Sequence, residues 1–76
     1  MPSQRRPVVH VMALRACGHH PKGMRHEAHR KTMRLLQEQG LVEERAPYRA
    51  RDLRWFLTPA GKELLAEIGM GEPLEP

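Results

Sequence analysis

The stretch 40-GLVEERAPYRARDLRWFLTPAG-61 carries the punctuation that decides the fold. Gly40 stands where a helix ends in a left-handed residue, and Leu41 can fold back onto Leu36, the contact that accompanies a Schellman stop. Leu41 to Ala46 and Leu53 to Leu57 read as two strands bounded by turn residues. Leu53, Trp55 and Leu57 share one face by period-2 alternation. Trp55 is the single tryptophan and is assigned to the core. Pro47 limits the first strand, because proline cannot donate to a ladder. Thr58 is placed to cap a last helix, with Pro59 in its first turn. Leu64, Leu65 and Ile68 give that helix an apolar stripe, and Gly69 ends it. The loop between the strands carries Arg49 and Arg51, with Arg45 and Arg54 beside it.

Working upstream, 25-RHEAHRKTMRLLQEQ-39 holds no Gly or Pro and reads as a helix. On a wheel of 100° per residue, Ala28, Thr32, Leu35 and Leu36 form its inner face, while His26, Arg30 and Arg34 point outward. Lys31 and His29 flank the boundary between the faces. The segment 18-GHHPKGM-24 has two glycines and a proline, room for a loop or one helical turn. Before it, Pro7 suits a helix start, and Val8, Val11, Met12, Ala13 and Leu14 predict a short helix ending near Cys17-Gly18. His10 and Arg15 interrupt that apolar run, which favours a helix over a signal peptide. Residues 1–6 are expected to be a flexible arm, 7–69 one domain, and 70–76 a flexible tail.

Seventy-six residues allow one domain. So short a chain buries only about 60% of the surface its unfolded form exposes. A single cysteine excludes an intramolecular disulfide and points to a reducing, cytoplasmic setting. No apolar run approaches the roughly 20 residues of a membrane span, so no membrane partner is expected. The net charge is +4, from 13 Lys+Arg and 9 Asp+Glu, and it is unevenly spread. Residues 1–34 carry 8 basic groups and one acid, +7; residues 35–76 carry 5 basic and 8 acidic groups, −3. A front half this positive suits a polyanion, most simply nucleic acid.

The segment LLQEQGLVEE, the basic loop, and RWFLTPAGKELL together resemble the closing half of a winged-helix domain. The pattern is similar to MarR-type and PadR-type bacterial regulators, where a helix ends in a "GLV" step, a hairpin forms the wing, and "LT-x-x-G" opens the next helix. Here these are Gly40-Leu41-Val42 and Leu57-Thr58-Pro59-Ala60-Gly61, and the likeness spans roughly residues 30–66. It implies an α+β fold, a small winged helix with a two-stranded hairpin wing. Trp55 would point into the core, and Gly61 would permit close packing at the start of the last helix. The helix 25–39 would enter the major groove of double-stranded DNA and the 45–54 loop would brace the backbone, as in a transcriptional regulator. The implied contacts are Lys22, Arg25, His26, His29, Arg30, Lys31, Arg34, Arg45, Arg49, Arg51 and Arg54. The sequence departs from that family in having only GHHPKGM where a full helix precedes the recognition helix. At 76 residues it is also expected to be too short to carry the terminal helices through which MarR-type proteins dimerise. A homodimer, or a protein partner bound by a winged-helix module that does not read DNA, are the alternative expectations. High Arg and Pro content is compatible with a GC-rich bacterial or phage genome.

Other constellations are weighed against plainer readings. Cys17, His19, His20, His26 and His29 could supply metal ligands, but their spacing matches no standard zinc module. Polar residues beside a basic face are the simpler reading, and no metal or cofactor is expected. Cys17 near His19 and His20 has no acid orienter, so a small buried cysteine is expected instead. Glu43 and Glu44 alternate across a strand and make no acid/base pair. Arg30 and Arg34 could be a solvated face paired with Glu27 and Glu38, and Asp52 and Glu43 could neutralise part of the loop. No phosphate-binding loop or nucleophile motif is present, and an enzyme is not expected.

Overall fold

The computed structural model describes residues 6–69; the arm residues 1–5 and the tail 70–76 lie outside the described residues. The described residues are α+β, with three helices and a three-stranded antiparallel sheet, in agreement with a small winged-helix arrangement. In chain order the elements are α1 (Val8–Gly18), β1 (Met24–Arg25), α2 (Arg30–Glu38), β2 (Val42–Arg45), β3 (Arg54–Leu57) and α3 (Pro59–Ile68). The sheet order is β1-β3-β2, with β3 central.

The punctuation in 40–61 works as its residue types dictate. Gly40 has φ 76°, its N–H donates to Gln37 O, and Leu41 N–H donates to Leu36 O, both bonds of a Schellman stop. Leu36 and Leu41 are both buried in the core. Thr58 Oγ1 accepts from Gly61 N–H at 3.0 Å, and Pro59 opens α3. A side chain on Gly61 would run into the Leu41 carbonyl, so glycine alone lets α3 begin against the α2–β2 turn. Trp55 is fully buried, among Ala13, Leu14, Met33, Leu36 and Val42.

Four expectations are corrected. The sheet has a third strand, β1, where a loop was expected; Met24 pairs with Trp55 and Arg25 with Arg54. A strand of two residues has no periodicity to read. Gly23 makes it possible, because a Cβ there would meet Arg54 and Phe56 side chains at 2.7–2.8 Å. The helix 25–39 is shorter at its start, since residues 26–29 form turns and His29 adopts φ 50°. His is among the few non-glycine residues that visit this region readily. The apolar face of α2 is also rotated: Met33 and Leu36 are buried, while Leu35 is 48% exposed. Moving the helix start to Arg30 uncouples Ala28 from the wheel that placed Leu35 inside. Leu53 lies before β3 and is 40% exposed rather than aligned with Trp55. Arg6, assigned to the arm, donates to Gln39 Oε1 at 3.0 Å and ties the start of α1 to the end of α2.

Candidate nucleic-acid interface

The register sets two layers at one level of the sheet. Met24, Trp55 and Glu44 are neighbours across β1, β3 and β2; one residue along, so are Arg25, Arg54 and Arg45. A row of three like charges is unfavourable unless each is compensated. Each arginine here has its own carboxylate: Arg25 with Glu27 at 3.9 Å, Arg54 with Asp52 at 3.1 Å, and Arg45 with Glu43 at 3.5 Å. Two also lie over aromatic rings, Arg45 4.3 Å from the Phe56 centroid and Arg54 5.0 Å from that of Tyr48. The anticipated neutralisation of the hairpin by Asp52 and Glu43 is present at Arg54 and Arg45.

His26 does not face outward as a helical position would. Its ring stacks on Trp55, centroids 5.0 Å apart and planes at 13°, and its carbonyl accepts from Trp55 Nε1–H at 3.2 Å. Glu44 binds it from β2. Facing an acceptor-only carboxylate, His26 Nε2 is the donor, at 2.5 Å from Oε2. The same carboxylate takes Arg34 at 3.2 Å and Gln37 Nε2–H at 3.3 Å. Arg34 therefore leans back over Trp55, 5.4 Å from its ring, instead of pointing directly away. Its partner is Glu44 rather than Glu38, and Glu27 pairs with Arg25 rather than Arg30. These bonds hold the Glu44 carboxyl below its ordinary range, His26 contributing most.

The other predicted residues are uncompensated. Among the described residues, Lys22, Arg30, Lys31, Arg49 and Arg51 have no carboxylate within ion-pair distance, and all are exposed. They fall in two groups. Arg30 and Lys31 lie in the first turn of α2, which has no acid and begins after the exposed His29. Cations there oppose the positive end of the helix dipole. Lys22, Arg49 and Arg51 line a cleft of about 700 Å³ with Tyr48, Asp52 and Arg54. Tyr48 Oη–H donates to the Lys22 carbonyl at 2.9 Å, so the hairpin loop folds onto the α1–β1 connection. Arg51 and Arg54 also line a smaller cleft with Arg25, His26 and Glu27, which joins the loop to the turn before α2. Tyr48 was not singled out from sequence; its signal was an aromatic among arginines in a turn.

Cys17 is buried, and its thiol donates to the Trp55 carbonyl at 3.6 Å. Burial pushes that thiol up to about 11, so it stays protonated and unreactive at neutral pH. With Cys17 committed to the core and His26 to Glu44, the sequence cluster of Cys and His is not brought together. Among the described residues no group of three or more His, Cys, Asp or Glu is placed to hold a metal. A separate cleft of about 490 Å³ lies between α1, the sheet and α3, floored by Phe56, Leu57 and Leu65 and bordered by Arg45 and Lys62. Among the described residues no helix is long and apolar enough to cross a membrane. Compared with known proteins, the chain matches no family model, no curated protein and no solved structure.

Proposed function

We propose that this chain is a DNA-binding transcriptional regulator that sets α2 in the major groove and rests its basic hairpin on the backbone. The carrying observation is the division of its cations. Among the described residues, Arg25, Arg34, Arg45 and Arg54 are paired with carboxylates, whereas Arg30, Lys31, Lys22, Arg49 and Arg51 are exposed with no carboxylate in ion-pair distance. Unpaired cations in two neighbouring groups are what a phosphate backbone neutralises, with release of counterions. Arg30 and Lys31 near the start of α2 are suited to base edges, Arg with guanine being the commonest specific contact. The GLV and LTPAG motifs, which resemble MarR-type and PadR-type winged helices, support the same reading.

The test is duplex binding as a function of salt. The expected slope of log affinity against log salt falls by about 0.9 for each phosphate contact removed. If Arg30→Ala and Arg49→Ala leave both affinity and slope unchanged, the proposal fails. A second reading, a winged-helix module that binds a protein, is favoured by the apolar-floored cleft between α1, the sheet and α3. Absence of binding to any duplex at low salt, with Phe56→Ala abolishing co-purification of a partner, would select it.

A further inference from the structure

We infer that Tyr48 and the cations around it form a site for an unpaired nucleotide, a stacking platform for the base with a basic rim for its phosphate. The inference rests on the nucleic-acid reading above and names a substrate class for one part of it. Of the three aromatic residues, Trp55 and Phe56 are 0% and 8% exposed, while Tyr48 is 54% exposed. An exposed ring alone means little. This one is held in place. Its hydroxyl donates to the Lys22 carbonyl, and the Arg54 guanidinium lies 5.0 Å from its centroid. Arg54 is itself fixed, its Nε–H at 3.2 Å from both Asp52 oxygens. The loop is closed by Asp52 N–H donating to Arg49 O at 2.9 Å. The ring is thus oriented before any ligand arrives, which lowers the ordering cost of binding.

The surroundings select the ligand. The cleft of about 700 Å³ at this ring is lined by Lys22, Arg49, Arg51 and Arg54. Its one acid, Asp52, is taken by Arg54. A flat apolar surface ringed by cations matches a base attached to a phosphate. Inside a duplex the base faces are covered by their neighbours, so away from its ends an unpaired base is what offers a face to stack on. The expected ligand is a single-stranded extension or opened base next to the duplex bound by α2.

The experiment compares a blunt duplex with the same duplex carrying a short single-stranded tail that contains 2-aminopurine. Anisotropy reads affinity and 2-aminopurine fluorescence reads stacking. The tail is expected to tighten binding by roughly 5- to 150-fold, the range of one stacked base. Its fluorescence should be quenched by the natural chain and by Tyr48→Phe, and not by Tyr48→Ala. Arg49→Ala should weaken both duplexes, and the tailed one more, because Arg49 also lines the cleft at Tyr48. Equal affinity for both duplexes, or quenching that survives Tyr48→Ala, overturns the inference and leaves duplex binding standing. Binding of the tailed duplex alone, lost in Tyr48→Ala, overturns the groove reading and supports the tyrosine site. No binding of either overturns both.

Discussion

The His26 imidazole lies flat against the Trp55 indole, and the Trp55 Nε1–H in turn donates to the His26 carbonyl. The pair fixes the turn that sets where α2 begins. It joins one buried core residue to the turn 26–29, where Ala28 also packs against the core. A position that reads as the solvent face of a helix is thereby part of the scaffold for the candidate interface.

Replacing His26 with Ala removes the stack and the bond to Glu44. Aromatic pairs contribute about 0.5–1.5 kcal/mol beyond burial, and a hydrogen bond to a charged group about 1.5–3. Solvent access discounts both, so a loss of about 1–2 kcal/mol is expected in urea unfolding. An unchanged midpoint would show that the turn is held by its backbone alone.

Glu44 should shape the acid limb of stability. Its folded-state pKa lies below the ordinary value of 4.5. The native state therefore binds protons less readily than the unfolded chain. The stabilisation is fully present above the unfolded value and is lost as pH falls through the folded one. Urea unfolding from about pH 6 down to about pH 3 should show a steeper decline for the natural chain than for Glu44→Gln.

The same substitution should act oppositely on binding. Glu44 neutralises Arg34 and draws it over Trp55. Glu44→Gln frees that guanidinium, so duplex affinity at low salt should rise even though the fold is weakened. Measured at a temperature where both proteins are folded, an affinity that falls would place Glu44, and not Arg34, at the nucleic acid.

Much of this scaffold is legible in the sequence because its signals are local. Gly40, Thr58-Pro59 and Gly61 each act within a few residues of themselves, and Trp55 has a size that only the core accommodates. The rest depends on contacts distant in the chain. β1 exists because Gly23 lets two residues lie against β3, and no pattern in two residues can announce that. The sequence RHEAHRK has helix formers throughout, yet its first half is taken from the helix by a stack formed 29 residues away. Met33 and Leu35 differ little in hydropathy, and only the true start of α2 decides which turns inward. The cations could be named from sequence, but not which of them carry carboxylates.

Gly61 and Gly40 should respond differently to alanine, and the contrast separates packing from backbone strain. Gly61 is buried, and a Cβ there meets the Leu41 carbonyl and the Leu57 side chain. The Leu41 backbone is bound to Thr58 N–H at 3.1 Å and cannot yield without breaking the α3 cap. Gly61→Ala should cost about 1–3 kcal/mol or more. At Gly40 nothing lies within 4 Å of a Cβ, so only its φ of 76° opposes a side chain. Gly40→Ala should cost about 1 kcal/mol, and Gly40→Asn less, because Asn tolerates the left-handed region. Chemical denaturation of the three variants checks the order. If Gly61→Ala is the mildest, α3 does not begin where the Thr58 cap and the Leu41 carbonyl place it.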